Sequence, residues 1–171
     1  RIEAGLTWFL YVSVLKEAQT CIEKAKDCDS SWAYYTGGTQ REEPLGLAAL
    51  VQSVSSETHN RVFDAILALR CWRDLDPATP AENLELWELA STQIEQALTH
   101  GMTTLARQKA LSVECATGDH ADAHQEYLKF VGPLLGAWLE DYPEELSQTW
   151  GSTDFNGSSV DTLLQNAFAC P

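Results

Sequence analysis

The stretch "PAENLELWELASTQIEQALTHGMTTLARQKALSVEC", residues 80–115, decides the fold of this chain. Its apolar residues recur at spacings that place them along one side of an α-helix. That period predicts a long amphipathic helix from Pro80 to about Cys115, which Gly101 either kinks or interrupts. The apolar positions are Leu84, Trp87, Leu89, Ile94, Leu98, Met102, Leu105 and Leu111.

Helical spacing continues through most of the remaining chain, and alternation with a period of two never extends beyond four residues. The sequence therefore predicts an all-α fold, a single-domain helical bundle of four to five principal helices plus short helices over residues 1–171. Pro133 is expected to bend the helix that contains it. The other predicted helices are 2–25, a short helix capped by Asp29 or Ser30 and ended by Gly37-Gly38, Pro44 to about Ser56, 60–75, 119–141 and 159–169.

The first predicted helix contains the apolar run "LTWFLYVSVL", residues 6–15, which is too short to span a bilayer and is typical of a core helix. Residues at steps of three and four define one apolar stripe along it. We expect this stripe to face the core. Its members are Leu6, Phe9, Leu10, Val14, Ala18, Cys21 and Ile22.

Charge is the outlier in an otherwise globular composition of 44% hydrophobic and 21% charged residues. Eleven Lys and Arg residues against 25 Asp and Glu give a net charge of −14. Such a field repels nucleic acid and anionic lipid and attracts cations, so we expect no nucleic-acid partner. Solubility alone is the alternative explanation of the charge.

The five cysteines indicate an oxidising compartment, with two disulfides plus a leftover or a partner outside this fragment. Five reduced, buried thiols are the alternative. Asn156-Gly157-Ser158 is an acceptor sequence for N-glycosylation and favours the same compartment. The chain begins at Arg1, as expected of a processed product or an excised domain. We expect a secreted, periplasmic or cell-surface location.

Common enzyme signatures are missing from the sequence. It contains no GxSxG elbow, P-loop, GxGxxG or HExxH motif, and no repeated Glu-x-x-His pair. We therefore predict a protein that is not an enzyme. An enzyme that uses histidines and acids is the weakest of the alternatives.

Residues 27–44, "DCDSSWAYYTGGTQREEP", combine aromatic side chains with acids. Adjacent Tyr34 and Tyr35 diverge by about 100° on a helix, so they cannot both face the core. One phenol could bind a hard cation as phenolate, and Glu42 and Glu43 on the following loop could reach the same ion. Ordinary packing of the aromatics and a solvated pair of charges are the alternatives.

A second group of donors lies in "GDHADAHQEY", residues 118–127. His120 and His124, four residues apart, share one face of a helix and are close enough to share a metal. Glu126 lies nearby but points to another face. A chance pair of surface histidines is the alternative.

Arginines are scarce, and several lie on otherwise apolar helices, where each could pair with a carboxylate. An arginine could instead hold a small anion such as carbonate beside a bound cation, through its bidentate guanidinium. We assign this role to Arg41 and Arg107.

The segments "SSWAYYTGGTQREEPLGLAALVQ" and "HADAHQEYLKFVGPLL" resemble the iron-assimilating proteins of algae. These are also described as high-carbon-dioxide-inducible periplasmic proteins and are related to the phytotransferrins. The resemblance loosely covers residues 30–140, and Trp32-Ala33-Tyr34-Tyr35 matches best. His124, Gln125 and Glu126 depart from the expected Glu-Gly-aromatic run, which puts the second half of an iron site in doubt.

The resemblance implies capture of Fe3+ at the cell surface for iron assimilation, with carbonate as the accompanying anion. It also implies a second related domain and a cell-surface reductase or transporter as partner. The alternative is a structural or protein-interaction module that binds no metal, with Trp8 and Trp138 on a docking face.

Overall fold

In a computed structural model, the protein is described over residues 1–74, 84–137, 144–150, 152 and 155–168. Within these ranges all regular structure is helical and no β-strand occurs, which confirms the predicted all-α fold. No helix in them is both long enough and apolar enough to cross a lipid bilayer. The helices are α1 (Ile2–Thr20), α2 (Ala25–Thr36), α3 (Gly46–Val54), α4 (Ser56–Asp74), α5 (Leu84–Cys115), α6 (Asp119–Gly136), α7 (Glu144–Thr149) and α8 (Gly157–Ala167).

The chain divides into two compact units. The first unit comprises Arg1–Trp8 and Met102–Pro171, and the second comprises Phe9–Gly101. Helices α1 and α5 each contribute residues to both units. The predicted tyrosine and loop-acid donors belong to the second unit, whereas the predicted histidine donors belong to the first.

Helix α1 buries Val14 and Ala18 of the predicted stripe but not the first members of that stripe. Leu6 and Phe9 are 59% and 55% exposed, although both belong to the predicted stripe. Because α1 is apolar on nearly all sides, its hydrophobic pattern could not show which face is buried. Several of the side chains on the buried face are small. The buried positions are Ala4, Thr7, Tyr11, Val14, Leu15 and Ala18.

Helices α2, α3 and α4 pack against one another within the second unit. Leu47 and Val51 of α3 and Ile66 and Leu69 of α4 are fully buried. Helix α2 begins at Ala25, earlier than the predicted caps at Asp29 or Ser30, and its N-cap is Lys24. The three helices form the frame that holds the connecting loop 37–45.

Helix α5 is continuous through Gly101, so the predicted interruption does not occur there. A Cβ atom built on Gly101 would lie 3.1 Å from a methyl group of Val51 and 3.4 Å from one of Thr58. The glycine therefore serves close packing against α3 and α4. The predicted start at Pro80 and the Pro-rich turn before it lie outside the described residues.

The first unit contains α6, α7 and α8, with α7 packed against both of the others. Pro133 lies inside α6, as predicted, but the helix ends at Gly136 and not at residue 141. A Cβ atom on Gly132 would lie 2.3 Å from the Trp150 ring, so this glycine admits the indole. Helix α7 was not predicted, because six residues are too few to show a period.

Candidate functional site

Helix α2 ends as the sequence predicted, at the Gly37-Gly38 pair. Gly37 adopts a left-handed conformation, with φ of 68°, and its N–H donates to Ala33 O at 2.9 Å. A Cβ atom there would lie 2.8 Å from Leu45 Cβ, so a side chain at position 37 would collide with the returning loop. The glycine thus places loop 37–45 directly against the end of α2.

Tyr35 lies on the buried side of α2 and is 0% exposed. Its phenol oxygen is 3.1 Å from His59 Nδ1, and the two rings stack with centroids 5.8 Å apart. Burial raises the pKa of Tyr35 far above its ordinary value. As it stands, the phenol is a neutral hydrogen-bonding group and not a phenolate.

His59 of α4 connects Tyr35 to the loop. Its Nε2 is 3.0 Å from the backbone oxygen of Arg41, which can only accept a hydrogen bond. Nε2 therefore carries the proton, and Nδ1 accepts the bond from the Tyr35 hydroxyl. Burial lowers the pKa of His59, and the charge of Arg41 acts in the same direction, against the bond to the Arg41 carbonyl. We call this arrangement the Tyr35–His59–Arg41 chain.

The Arg41 side chain is held by α4. Its Nη1 donates to Asn60 Oδ1 at 3.1 Å, its Nη2 pairs with Asp64, and the guanidinium carbon lies 4.5 Å from the centroid of the Phe63 ring. Arg41, predicted to hold an anion, thus already has a carboxylate and an amide as partners. The same residue fastens the loop through both its backbone and its side chain.

The remaining predicted donors of the second unit point elsewhere. Tyr34 is half-buried, and its ring meets the edge of Phe9 at 6.0 Å between centroids. Glu42 and Glu43 are exposed on the loop. Within the described ranges, no three or more His, Cys, Asp or Glu side chains come together in a group that could hold a metal ion.

In the first unit, His120 and His124 lie in the first turns of α6 and line an open pocket with Ser112 and Cys115. Partial burial lowers the pKa of His124, and the charge of Lys109 acts in the same direction. The two imidazoles are near neighbours, as their spacing predicted. Cys115 is an exposed free thiol.

Glu126 has other partners than a metal. Arg1 Nε approaches its carboxylate at 2.7 Å and Lys129 Nζ at 3.5 Å. The hydrogen bond from Arg1 lowers the pKa of this carboxyl. The structure thus places Glu126 in an exposed ion pair and does not group it with the two histidines.

Arg107, the second predicted anion ligand, is bound at both arms of its guanidinium. Its Nε and Nη2 donate to the two carboxylate oxygens of Asp161 at 2.6 and 3.3 Å. This bidentate pair fixes α8 against α5. A carbonate ion would have to compete with it.

Sequence reasoning missed His59, Asn60 and Asp64. His59 precedes Val62, Phe63 and Ile66 by three, four and seven residues, which is the spacing of a buried helix face. That spacing could have identified it as a core histidine. Its contact with the loop depends on tertiary structure and leaves no signal in the local sequence.

The second unit also exposes apolar side chains around the end of α2. Phe9 and Leu45 are 55% and 57% exposed, and Tyr34 lies against Phe9. A Cβ atom on Gly46 would lie 3.8 Å from a methyl group of Leu10, so α1 passes close to the start of α3. We call these four residues, Phe9, Leu10, Tyr34 and Leu45, the Phe9 patch.

Cys21 and Cys28 form a disulfide across the turn between α1 and α2, with Cα atoms 4.9 Å apart. Cys71 and Cys115 are free and exposed, and Cys170 lies outside the described residues. The disulfide agrees with an oxidising environment. Only one of the two predicted disulfides lies within the described ranges.

Comparison with known proteins gives no relative for this chain: no protein-family profile matches it, and no significantly similar curated protein or solved structure is found. The resemblance to algal iron-assimilating proteins therefore stays an expectation from the sequence.

Proposed function

We propose that this chain is a secreted or cell-surface helical protein that binds another protein through the Phe9 patch. The observation that carries the proposal is the exposure of Phe9 and Leu45, each more than half accessible, on adjoining elements. Full burial of one such side chain stabilises a complex by roughly 1.5–3 kcal/mol. An aromatic pair and two leucines together provide the apolar centre of a small interface.

Charge indicates the chemistry of the partner. Glu42 and Glu43 are exposed beside Leu45, and neither forms an ion pair within the part of the chain that the structure describes. The chain as a whole carries −14. A partner segment with an apolar anchor flanked by Lys or Arg would complement both features, whereas a second copy of this chain would be repelled.

The proposal is tested by site-specific photo-crosslinking in the organism that makes the protein. A benzophenone amino acid replaces Phe9 in one variant and Phe130, a 41% exposed phenylalanine of the first unit, in the control. We expect position 9 alone to give one major adduct, whose crosslinked segment is apolar and flanked by basic residues.

Leu45→Glu should abolish that adduct, while Leu111→Glu, on the exposed face of α5, should leave it unchanged. Equal adduct patterns at positions 9 and 130 would refute the interaction surface. A homodimeric adduct would refute the charge argument and assign the patch to self-association.

A second candidate is the capture of Fe3+, which rests on the Tyr35–His59 pair and on two exposed acids in the adjoining loop, although these four side chains do not converge in one group. Tyr35 and His59 are hydrogen-bonded, and Glu42 and Glu43 follow Arg41 on the loop that His59 holds. In this second proposal carbonate is the accompanying anion, and a cell-surface reductase or transporter, with a second related domain, completes uptake. Ion binding would require Tyr35 to release His59 and lose its proton.

Titration with ferric salt and bicarbonate tests this candidate. Coordination by a phenolate would produce a visible charge-transfer band, and we expect Tyr35→Phe to remove it while Tyr34→Phe leaves it. Glu42→Gln with Glu43→Gln should weaken the binding. A protein that stays colourless at stoichiometric Fe3+ would exclude iron capture without affecting the crosslinking result.

A further inference from the structure

We infer that Asn156 is an N-glycosylation site whose glycan is attached before α8 packs. Asn156 is exposed at the N-cap of α8, and Ser158 completes the acceptor sequence. The Cys21–Cys28 disulfide independently indicates passage through an oxidising, secretory compartment, where such glycans are added. The sequence motif and the disulfide lie in different units and do not depend on each other.

The side chain of Asn156 is compatible with a glycan in the folded protein. Its Oδ1 accepts a hydrogen bond from Ser159 N at 2.8 Å and so caps the helix. The glycan attaches to the other atom, Nδ2, which makes no hydrogen bond within the described residues. The cap and the glycan therefore use different atoms of one side chain.

The rest of the acceptor sequence is engaged by α5 once α8 has packed: Gly157 is buried, and Ser158, although exposed, is hydrogen-bonded to Glu114. The Ser158 hydroxyl donates to Glu114 Oε2 and its backbone N–H to Glu114 Oε1, each at 2.8 Å. A Cβ atom on Gly157 would lie 2.1 Å from Ala110 O, so the start of α8 touches the backbone of α5. A transferase that must engage the serine hydroxyl has to act on the chain before these contacts form.

The transfer step balances with a polyprenyl-pyrophosphate-linked oligosaccharide as donor. Nδ2 of Asn156 forms a bond to C1 of the first sugar and loses one proton, and the C1–O bond to the pyrophosphate breaks. Polyprenyl pyrophosphate leaves with the electron pair. Nothing is oxidised or reduced.

Intact-mass analysis of the protein isolated from the organism that makes it provides the test. We expect a mass above that of the polypeptide, which peptide-N-glycosidase removes while converting residue 156 to Asp in the peptide map. Asn156→Asp is the matched variant, because Asp caps a helix as well as Asn but offers no amide nitrogen. It should fold and lack the extra mass.

Ser158→Thr should keep the glycan and Ser158→Ala should lose it. A native protein with the mass of the bare polypeptide would overturn the inference, as would extra mass that persists in Asn156→Asp. Glycosylation of the already folded, bare protein by transferase-containing membranes would overturn the order of events.

Discussion

His59 and the His120–His124 pair show how differently histidines can be used within one chain. His59 is buried, and both of its ring nitrogens have partners, one on α2 and one on loop 37–45. His120 and His124 lie at the start of α6 beside an open pocket. The pair was visible in the sequence because its spacing is local, whereas the contacts of His59 come from distant segments. The local sequence pattern therefore identified the two histidines that have fewer structural contacts than His59.

The largest expected effect is that of His59→Leu. Leucine fills part of the space but leaves the Tyr35 hydroxyl without its partner and removes one hydrogen bond from the Arg41 carbonyl. We expect the free energy of unfolding to fall by roughly 2–4 kcal/mol. Urea denaturation measures the change, with His120→Gln as the control, expected within about 0.5 kcal/mol of the parent protein. Equal losses in the two variants would break the contrast between the histidines.

The two adjacent tyrosines provide the next test. Tyr35→Phe leaves the His59 Nδ1 acceptor buried and unpaired, and we expect it to cost about 1–2 kcal/mol. Tyr34→Phe removes only the hydroxyl of a half-buried ring and should lower the free energy of unfolding by less than about 0.5 kcal/mol. Parallel urea curves compare the two. A larger loss for Tyr34→Phe would mean that the chain from Tyr35 to Arg41 adds little to the stability of the second unit.

The pH dependence of stability should follow His59. Its pKa is lowered in the folded protein, so the unfolded chain binds the proton first as the pH falls. The stability that neutral His59 contributes is therefore fully present above its ordinary pKa of 6.5. It is lost as the pH drops from there towards the folded pKa. Tyr35, which faces the ring and whose pKa is raised by burial, stays neutral in this window. In a His124→Gln background, which removes a second histidine of lowered pKa, the urea midpoint should fall as the pH is lowered through this window. When His59→Gln is added, the midpoint should stay level.

The smallest effect is expected from divalent metal at the His120–His124 pair. Among the described residues no third His, Cys, Asp or Glu side chain joins the two imidazoles in a group that could hold a metal ion, so zinc should bind weakly. At a zinc concentration close to its Kd, the gain in stability should be about 0.4 kcal/mol. Thermal unfolding with and without zinc measures it, and His124→Gln should remove it. A large gain would show that a further donor joins the pair.

Helix existence was predictable here, but the orientation of the helices was not. Period and capping residues located the principal helices and the end of α2 at Gly37. On α1 the predicted stripe was right for Val14 and Ala18. It was wrong at the start of the helix, because Leu6 and Phe9 are more hydrophobic than Ala4 and Thr7, although the latter are buried. Where a helix is apolar on most sides, only its neighbours determine which side faces inward.

The candidate site was less predictable, for a related reason. The sequence selected oxygen donors by type and proximity, namely Tyr34, Tyr35, Glu42 and Glu43. It could not show that Arg41, between them, would bind α4 and hold the loop. Ion pairs between distant residues, such as Arg107 with Asp161, leave no local pattern in the sequence. They occupy charged groups that the sequence alone suggests are available to bind a ligand.

The Cys21–Cys28 disulfide has a consequence for processing of the chain. It encloses exposed Lys24 and Lys26, two cleavage positions for a trypsin-like protease. A cut at either lysine would open the polypeptide without separating its pieces, because the sulfur bridge would still join α1 to α2. Nicked protein would migrate as one species on a gel without reductant and as two fragments once thiol is added.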